Sequence, residues 1–157
     1  MGSEKKPTST GLSSESSEAK SGEPSLRFDL GRSAELLVAA KLTELGFNVF
    51  FPFSDRSPVD LICCWGNRTN RVQVKARWQP RGKAGQDVTV SGVDRHNADT
   101  LVVHLHSTGS YYIIPTEEMS GEHTLIFYPS GRSAKPPRKY WDEWRDRWEL
   151  LKAPTRT

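Results

Sequence analysis

Cysteine is almost missing from this 157-residue chain: it has two, Cys63 and Cys64, side by side. Neighbours in an extended segment point to opposite faces, so they are poor partners for an internal disulfide. No Cys-x-x-Cys or Cys/His spacing suited to zinc accompanies them. Long apolar runs are missing as well. No stretch reaches the roughly 20 residues a membrane-spanning helix needs, and no signal-peptide pattern opens the chain. These absences make a reduced, intracellular setting with no membrane partner the expectation. Also absent are a Gly-x-Ser-x-Gly elbow and a glycine-rich phosphate cradle, which argues against serine hydrolysis and against a small-molecule cofactor. Neither charge sign dominates: 22 Lys and Arg stand against 19 Asp and Glu, a net +3. That balance is compatible with nucleic acid without being diagnostic of it. Hydrophobic residues, at 35%, are few, but the shortage is concentrated at the N-terminus. Residues 1–26 are mostly Ser, Glu, Lys, Gly and Thr and are expected to be a disordered polar tail, because they cannot bury enough surface to offset ordering entropy.

What is present is organised around residues 57–77. Pro58-Val59-Asp60-Leu61-Ile62-Cys63-Cys64-Trp65 and Arg71-Val72-Gln73-Val74-Lys75-Ala76-Arg77 are separated by Gly66-Asn67-Arg68-Thr69-Asn70, a run of turn formers. That is the signature of a hairpin. Strand alternation puts Val72, Val74 and Ala76 on one face and Gln73, Lys75 and Arg77 on the other. In the first strand Asp60, Ile62 and Cys64 share one face, and Leu61, Cys63 and Trp65 the opposite one. If the pairing sets Asp60 beside Gln73, a carboxylate, an amide oxygen and an ammonium converge. Such a set can hold a divalent cation and a phosphate together. By pattern alone, Gln73, Lys75 and Arg77 are equally the solvated face of an ordinary strand. Asp60 weighs against that, because Asp has low strand propensity.

Upstream, Asp29 is expected to cap a helix from Gly31 to Leu45 that ends at Gly46. Val38, Ala39, Leu42 and Leu45 form its apolar stripe, with Glu35 on the stripe's axis. An acid there is either a first-turn residue favoured by the helix dipole or a carboxylate directed into a cleft.

Pro58-x-Asp60 followed by Gln73-x-Lys75 resembles the PD-(D/E)XK nuclease superfamily, in the variant where Gln stands for the second acid. That variant is similar to certain group I intron homing endonucleases. Gly31-x-x-Ala34-Glu35, Gly46-x-x-Val49 and Tyr112-Ile113-Ile114-Pro115 extend the resemblance over roughly Leu30 to Met119. It implies an α/β, restriction-endonuclease-like core with a central mixed sheet flanked by helices. It also implies a Mg²⁺-dependent DNA endonuclease, with Mn²⁺ able to substitute, and catalytic residues Glu35, Asp60, Gln73 and Lys75. The metal ligands it implies are Asp60, Gln73, the Val74 carbonyl and Glu35. Lys75 would then stabilise the developing pentavalent charge, since a base role would require losing its proton beside a carboxylate that favours the charged form. Family members cut two strands, so a homo-oligomer, dimer or higher, is implied. The alternatives are a resolvase acting on Holliday junctions and a catalytically silent DNA-binding module on the same fold. The first shares the helix-borne Glu, and the missing second acid keeps the second open. The setting implied is cytoplasmic or nucleoid-associated.

Arg68, Arg71, Arg77, Arg81, Lys83 and Arg95 cluster around the motif in sequence and are the candidate phosphate contacts, with the basic loop 79–86 foremost. His104 and His106 have metal-compatible spacing but no third ligand nearby, and are read as structural or surface residues. Strands are expected over Asn48–Phe53, Val88–Val90, Thr100–Leu105, Tyr111–Ile114 and Thr124–Tyr128. The nuclease-like domain is expected to span residues 27–128. Residues 129–157 are expected to form a proline-rich linker and a helix over Tyr140–Lys152, whose Trp141, Trp144, Trp148 and Leu151 recur at helical spacing and dock onto the core.

Overall fold

The computed structural model describes residues 26–54, 56–79, 85–119, 121–129 and 139–152. Helix α1 covers Leu26–Glu44. It starts earlier than expected, so Asp29 lies inside the helix and is not its cap. Leu26 to Leu30 contain no helix breaker, and Gly31 costs only about 1 kcal/mol, too little to set a boundary. The other end matches its signal. The Gly46 N–H reaches the Thr43 carbonyl and the Phe47 N–H the Leu42 carbonyl, both at 3.0 Å. Gly46 takes a left-handed φ of 87°, as this C-terminal turn requires. A side chain there would also meet the Trp65 ring at 3.2 Å.

Seven strands follow: β1 Asn48–Phe50, β2 Leu61–Trp65, β3 Arg68–Arg77, β4 Gln86–Thr89, β5 Thr100–Leu105, β6 Ser110–Pro115 and β7 Thr124–Phe127. Five make a mixed sheet in the order β1-β2-β3-β5-β6, and β4 and β7 make a separate two-stranded ribbon. Only the β3–β5 pairing is parallel among them. The β2–β3 loop is just Gly66-Asn67, shorter than the turn run suggested, with Gly66 at a φ of 59°. Glycine at the first position of a two-residue loop matches the twist of the strands it joins. The fold class is the expected restriction-endonuclease-like α/β architecture, with one departure among the described residues: α1 covers one sheet face and the β4–β7 ribbon the other.

Alternation along the strands builds two cores. Leu61, Cys63, Val72, Val74, Val102 and Ile113 pack beneath Ala34, Val38 and Leu42 of α1. Leu101, Val103, Leu105, Tyr112 and Ile114 pack against Val88, Leu125 and Phe127 of the ribbon. The tryptophan-bearing segment near the C-terminus docks onto both, but not as the helix its spacing suggested. It forms two 3-10 turns, Asp142–Trp144 and Trp148–Lys152. Between them Arg145 bridges Tyr112 as an extended residue, and Asp146 takes a φ of 53°. The reason is topological. Trp141 belongs to the ribbon-side core, while Trp148 and Leu151 belong to the helix-side core. One helical face cannot reach both sides of a sheet, so the chain straps around the β6 edge.

Arg71 closes the β3–β5 junction. Its guanidinium meets Asp99 at 2.9 Å through Nη2 and donates to the backbone carbonyls of His96 and Arg95. Burial works against ionisation of Asp99, yet hydrogen bonds from the Arg71 guanidinium and amide hold its pKa below the usual carboxylate value. A depressed carboxyl stabilises the fold above its unfolded pKa and loses that contribution as pH falls through its folded one. Arg71→Lys keeps the charge and loses the fork, so we expect about 1–2 kcal/mol of destabilisation by urea unfolding at pH 7. The deficit should shrink at acid pH as Asp99 protonates.

Candidate active site

Pairing of β2 to β3 stops at Leu61 opposite Val72, while β3 runs on to Arg77 beside β5. The sheet therefore forks. Asp60 sits at the crotch, its N–H donating to the Val72 carbonyl at 3.0 Å. Its Oδ2 accepts the Val74 N–H at 2.7 Å and Gln73 Nε2 at 2.8 Å. Asp60 is thus on the Gln73 side, as the motif requires. The N–H and C=O of one strand residue point to the same edge, so the Val74 carbonyl is also directed into the fork.

A cleft of about 380 Å³ opens here, lined among others by Glu35, Asp60, Gln73, Val74, Lys75 and Trp78. By strand alternation Gln73 and Lys75 belong to the ribbon face, whereas Glu35 comes from the helix face. They share one cleft because β2 ends and no strand separates them. Glu35 carries an ion pair with Arg32 at 2.6 Å. Burial raises the Asp60 pKa above its ordinary value. The Val74 amide, the Lys75 charge, the Gln73 amide and the Arg32 charge offset this only in part. A half-buried carboxylate whose pKa is raised by desolvation in a cleft is a recurring property of functional sites.

The donor chemistry fits a hard cation. Carboxylate oxygens of Asp60 and Glu35, the Gln73 Oε1 left over once Nε2 serves Asp60, and the Val74 carbonyl are all oxygens. No three His, Cys, Asp or Glu side chains gather at one point among the described residues. A cation at the fork would therefore draw on amide, backbone and substrate oxygens. His104 and His106 do not add a site. His104 is buried with both ring nitrogens unpartnered, stacked on Tyr111 at 4.5 Å, and burial, then the His106 charge, lowers its pKa. It sits inside an aromatic cluster with Trp78.

The basic residues scatter. Arg68, at the hairpin end of β3, lies about 20 Å along the strand from Lys75 and donates to the Lys152 carbonyl. Arg71 spends its donors on Asp99 and two carbonyls. Arg77 pairs with Asp87 at 3.4 Å, and Arg95 is exposed on the loop before β5. Arg81 and Lys83 fall outside the described residues. Sequence reasoning passed over Arg32, although its spacing of three from Glu35 on a helix was the available signal.

Comparison with known proteins bears on the family and the fold. Residues 28–147 match the family model described as PD-(D/E)XK endonuclease. A 45-residue stretch is 40% identical to Protein 5.3 of Escherichia phage T7; it covers 29% of this chain and only 38% of that protein. The bacterial homing endonuclease I-Ssp6803I superposes with a TM-score of 0.66 at 22% identity, over 77% of this chain and 87% of its own. At that identity the likeness is one of fold.

Proposed function

The chain belongs to the PD-(D/E)XK endonuclease family, and we propose that it hydrolyses phosphodiester bonds within DNA strands at the fork between β2 and β3. The observation that carries this reading is the Asp60 carboxylate, pinned by Gln73 and Val74 beside Lys75 in a solvent-open cleft that Glu35 also lines. A divalent cation bound there, Mg²⁺ by its preference for oxygen, with Mn²⁺ able to substitute, supplies charge neutralisation and an activated water. The chain's own residues do the rest. Asp60 and Gln73 form an oriented oxygen cradle, held in place before substrate arrives by the bonds between them. Glu35 adds a carboxylate from the opposite wall. Lys75 presents an ammonium, without an ion-pair partner among the described residues, to the charge that grows on the phosphoryl oxygens. Exposed Arg95 is the described candidate for gripping flanking phosphates, joined by Arg77, on the same strand face as Lys75, once a phosphate displaces its Asp87 partner. Cutting both strands of a duplex takes two such sites, so the proposal includes assembly of two or more copies.

The test is cleavage of linear, nicked and four-way DNA with Mg²⁺ or with EDTA, which also decides between linear and junction substrates. Lys75→Ala should lower the single-turnover rate by about 10²-fold while DNA is still bound. Binding without cleavage on every substrate would leave a silent DNA-binding module, the reading that replacement of the second acid by Gln73 favours.

A further inference from the structure

Two cations stand beside this cleft. Lys75 lines it from β3, and Arg32 comes from α1, one turn ahead of Glu35, the cleft residue that it holds. Arg32 reaches Glu35 Oε2 through Nη1 at 2.6 Å, and its side chain is 52% exposed. The guanidinium carbon lies 4.8 Å from the centre of the Phe51 ring. Its remaining donors meet no acceptor among the described residues. A flat guanidinium resting on an aromatic ring, anchored at one nitrogen and open to solvent at the others, is pre-organised to take an oxyanion in two parallel hydrogen bonds.

We propose that Arg32 is a second phosphate clamp of this cleft, holding Glu35 in the free protein and taking a backbone phosphate when a nucleic-acid strand enters. The ligand class is a phosphodiester. A strand that enters between Glu35 and Lys75, both of which line the cleft, would pass the guanidinium that Glu35 holds. The Glu35 pair keeps the guanidinium at the cleft mouth. It also offsets the mutual repulsion of Glu35 and Asp60 before any phosphate or cation arrives. Phe51 supplies the fixed plane that a freely rotating arginine lacks. The plainer account is an ordinary i,i+3 helix pair, worth a few tenths of a kcal/mol and indifferent to DNA.

The proposal rests on the cleft being the strand-binding site, and the experiment keeps the two apart. Binding of a short fluorescein-labelled duplex is followed by anisotropy in EDTA across a salt series, where no cleavage intervenes. Arg32→Ala should weaken binding by about 10-fold and lower the slope of log affinity against log salt by about 1. Arg32→Lys should restore the slope but not the full single-turnover rate in Mg²⁺, because an ammonium cannot bind in two-pronged fashion. Thermal melts confirm that both variants fold. Unchanged affinity and slope in Arg32→Ala, beside a wild type that cleaves, would overturn the clamp and leave the nuclease reading standing. A lost slope in a chain that cleaves nothing would keep the clamp and remove the nuclease.

Discussion

Asp60→Asn loses Mg²⁺-dependent cleavage by on the order of 10³-fold or more, and in EDTA at pH 8 it melts no lower than the wild type. Removal of a ligating carboxylate explains the first half. The second follows from the raised pKa of Asp60, whose largest cause is burial. A carboxyl that binds its proton more tightly folded than unfolded favours the folded state below its unfolded pKa. Above its folded pKa the ionised group subtracts stability. Asn is neutral at every pH and has nearly the same shape. With its oxygen in the place of Oδ2, it can accept both the Val74 N–H and Gln73 Nε2, as the carboxylate does. The stability advantage should therefore be full above the folded-state pKa, shrink as pH falls through it, and vanish well below the unfolded value of about 3.9, where the wild-type carboxyl is protonated in both states. A melting-temperature series in EDTA checks it. Full cleavage by Asp60→Asn would overturn the site assignment, and a lower melting point at pH 8 would show that Asp60 is stabilised where it lies.

Trp148→Ala is expected to cost about 3–5 kcal/mol in urea unfolding, the largest effect on stability that we foresee. Trp148 is 8% exposed in the helix-side core, with its ring 5.4 Å from that of Tyr111. The strap that carries it is held by two short 3-10 turns and not by a continuous helix. It depends on Trp141, Trp148 and Leu151 as anchors, with added bonds such as Asn70 Nδ2 to the Leu151 carbonyl at 2.8 Å. Losing the middle anchor frees the chain beyond Arg145, and limited proteolysis should then cut between Asp146 and Lys152. A loss below about 1 kcal/mol would mean that the strap contributes little to the core.

Much of the site was legible because its grammar is local. Gln73 and Lys75 lie on β3 and Asp60 directly precedes β2, the two strands being joined by a two-residue turn, and period-two alternation assigns their faces without further knowledge. The same holds for the Gly46 helix stop and for the alternation that builds both cores. The C-terminal strap misled for a physical reason: three- and four-residue spacing of tryptophans describes a helix face, and it describes equally well anchors that alternate around a sheet edge. The arginines misled in their own way. Arg68 and Arg71 sit next to the motif in sequence, yet their partners lie 84 and 28 residues away, at Lys152 and Asp99.

By itself, then, the amino-acid order determined the hairpin, the side each motif residue takes and the family resemblance, since all of these depend on neighbours a few positions apart. Only the tertiary structure decided that β2 stops at Leu61 and lets Glu35 share a cleft with residues of the opposite face. It also decided which cations are spent on internal partners and that Arg32, paired with Glu35, keeps an exposed side chain. Those outcomes depend on where distant segments end and what they cover, and no local periodicity carries that information.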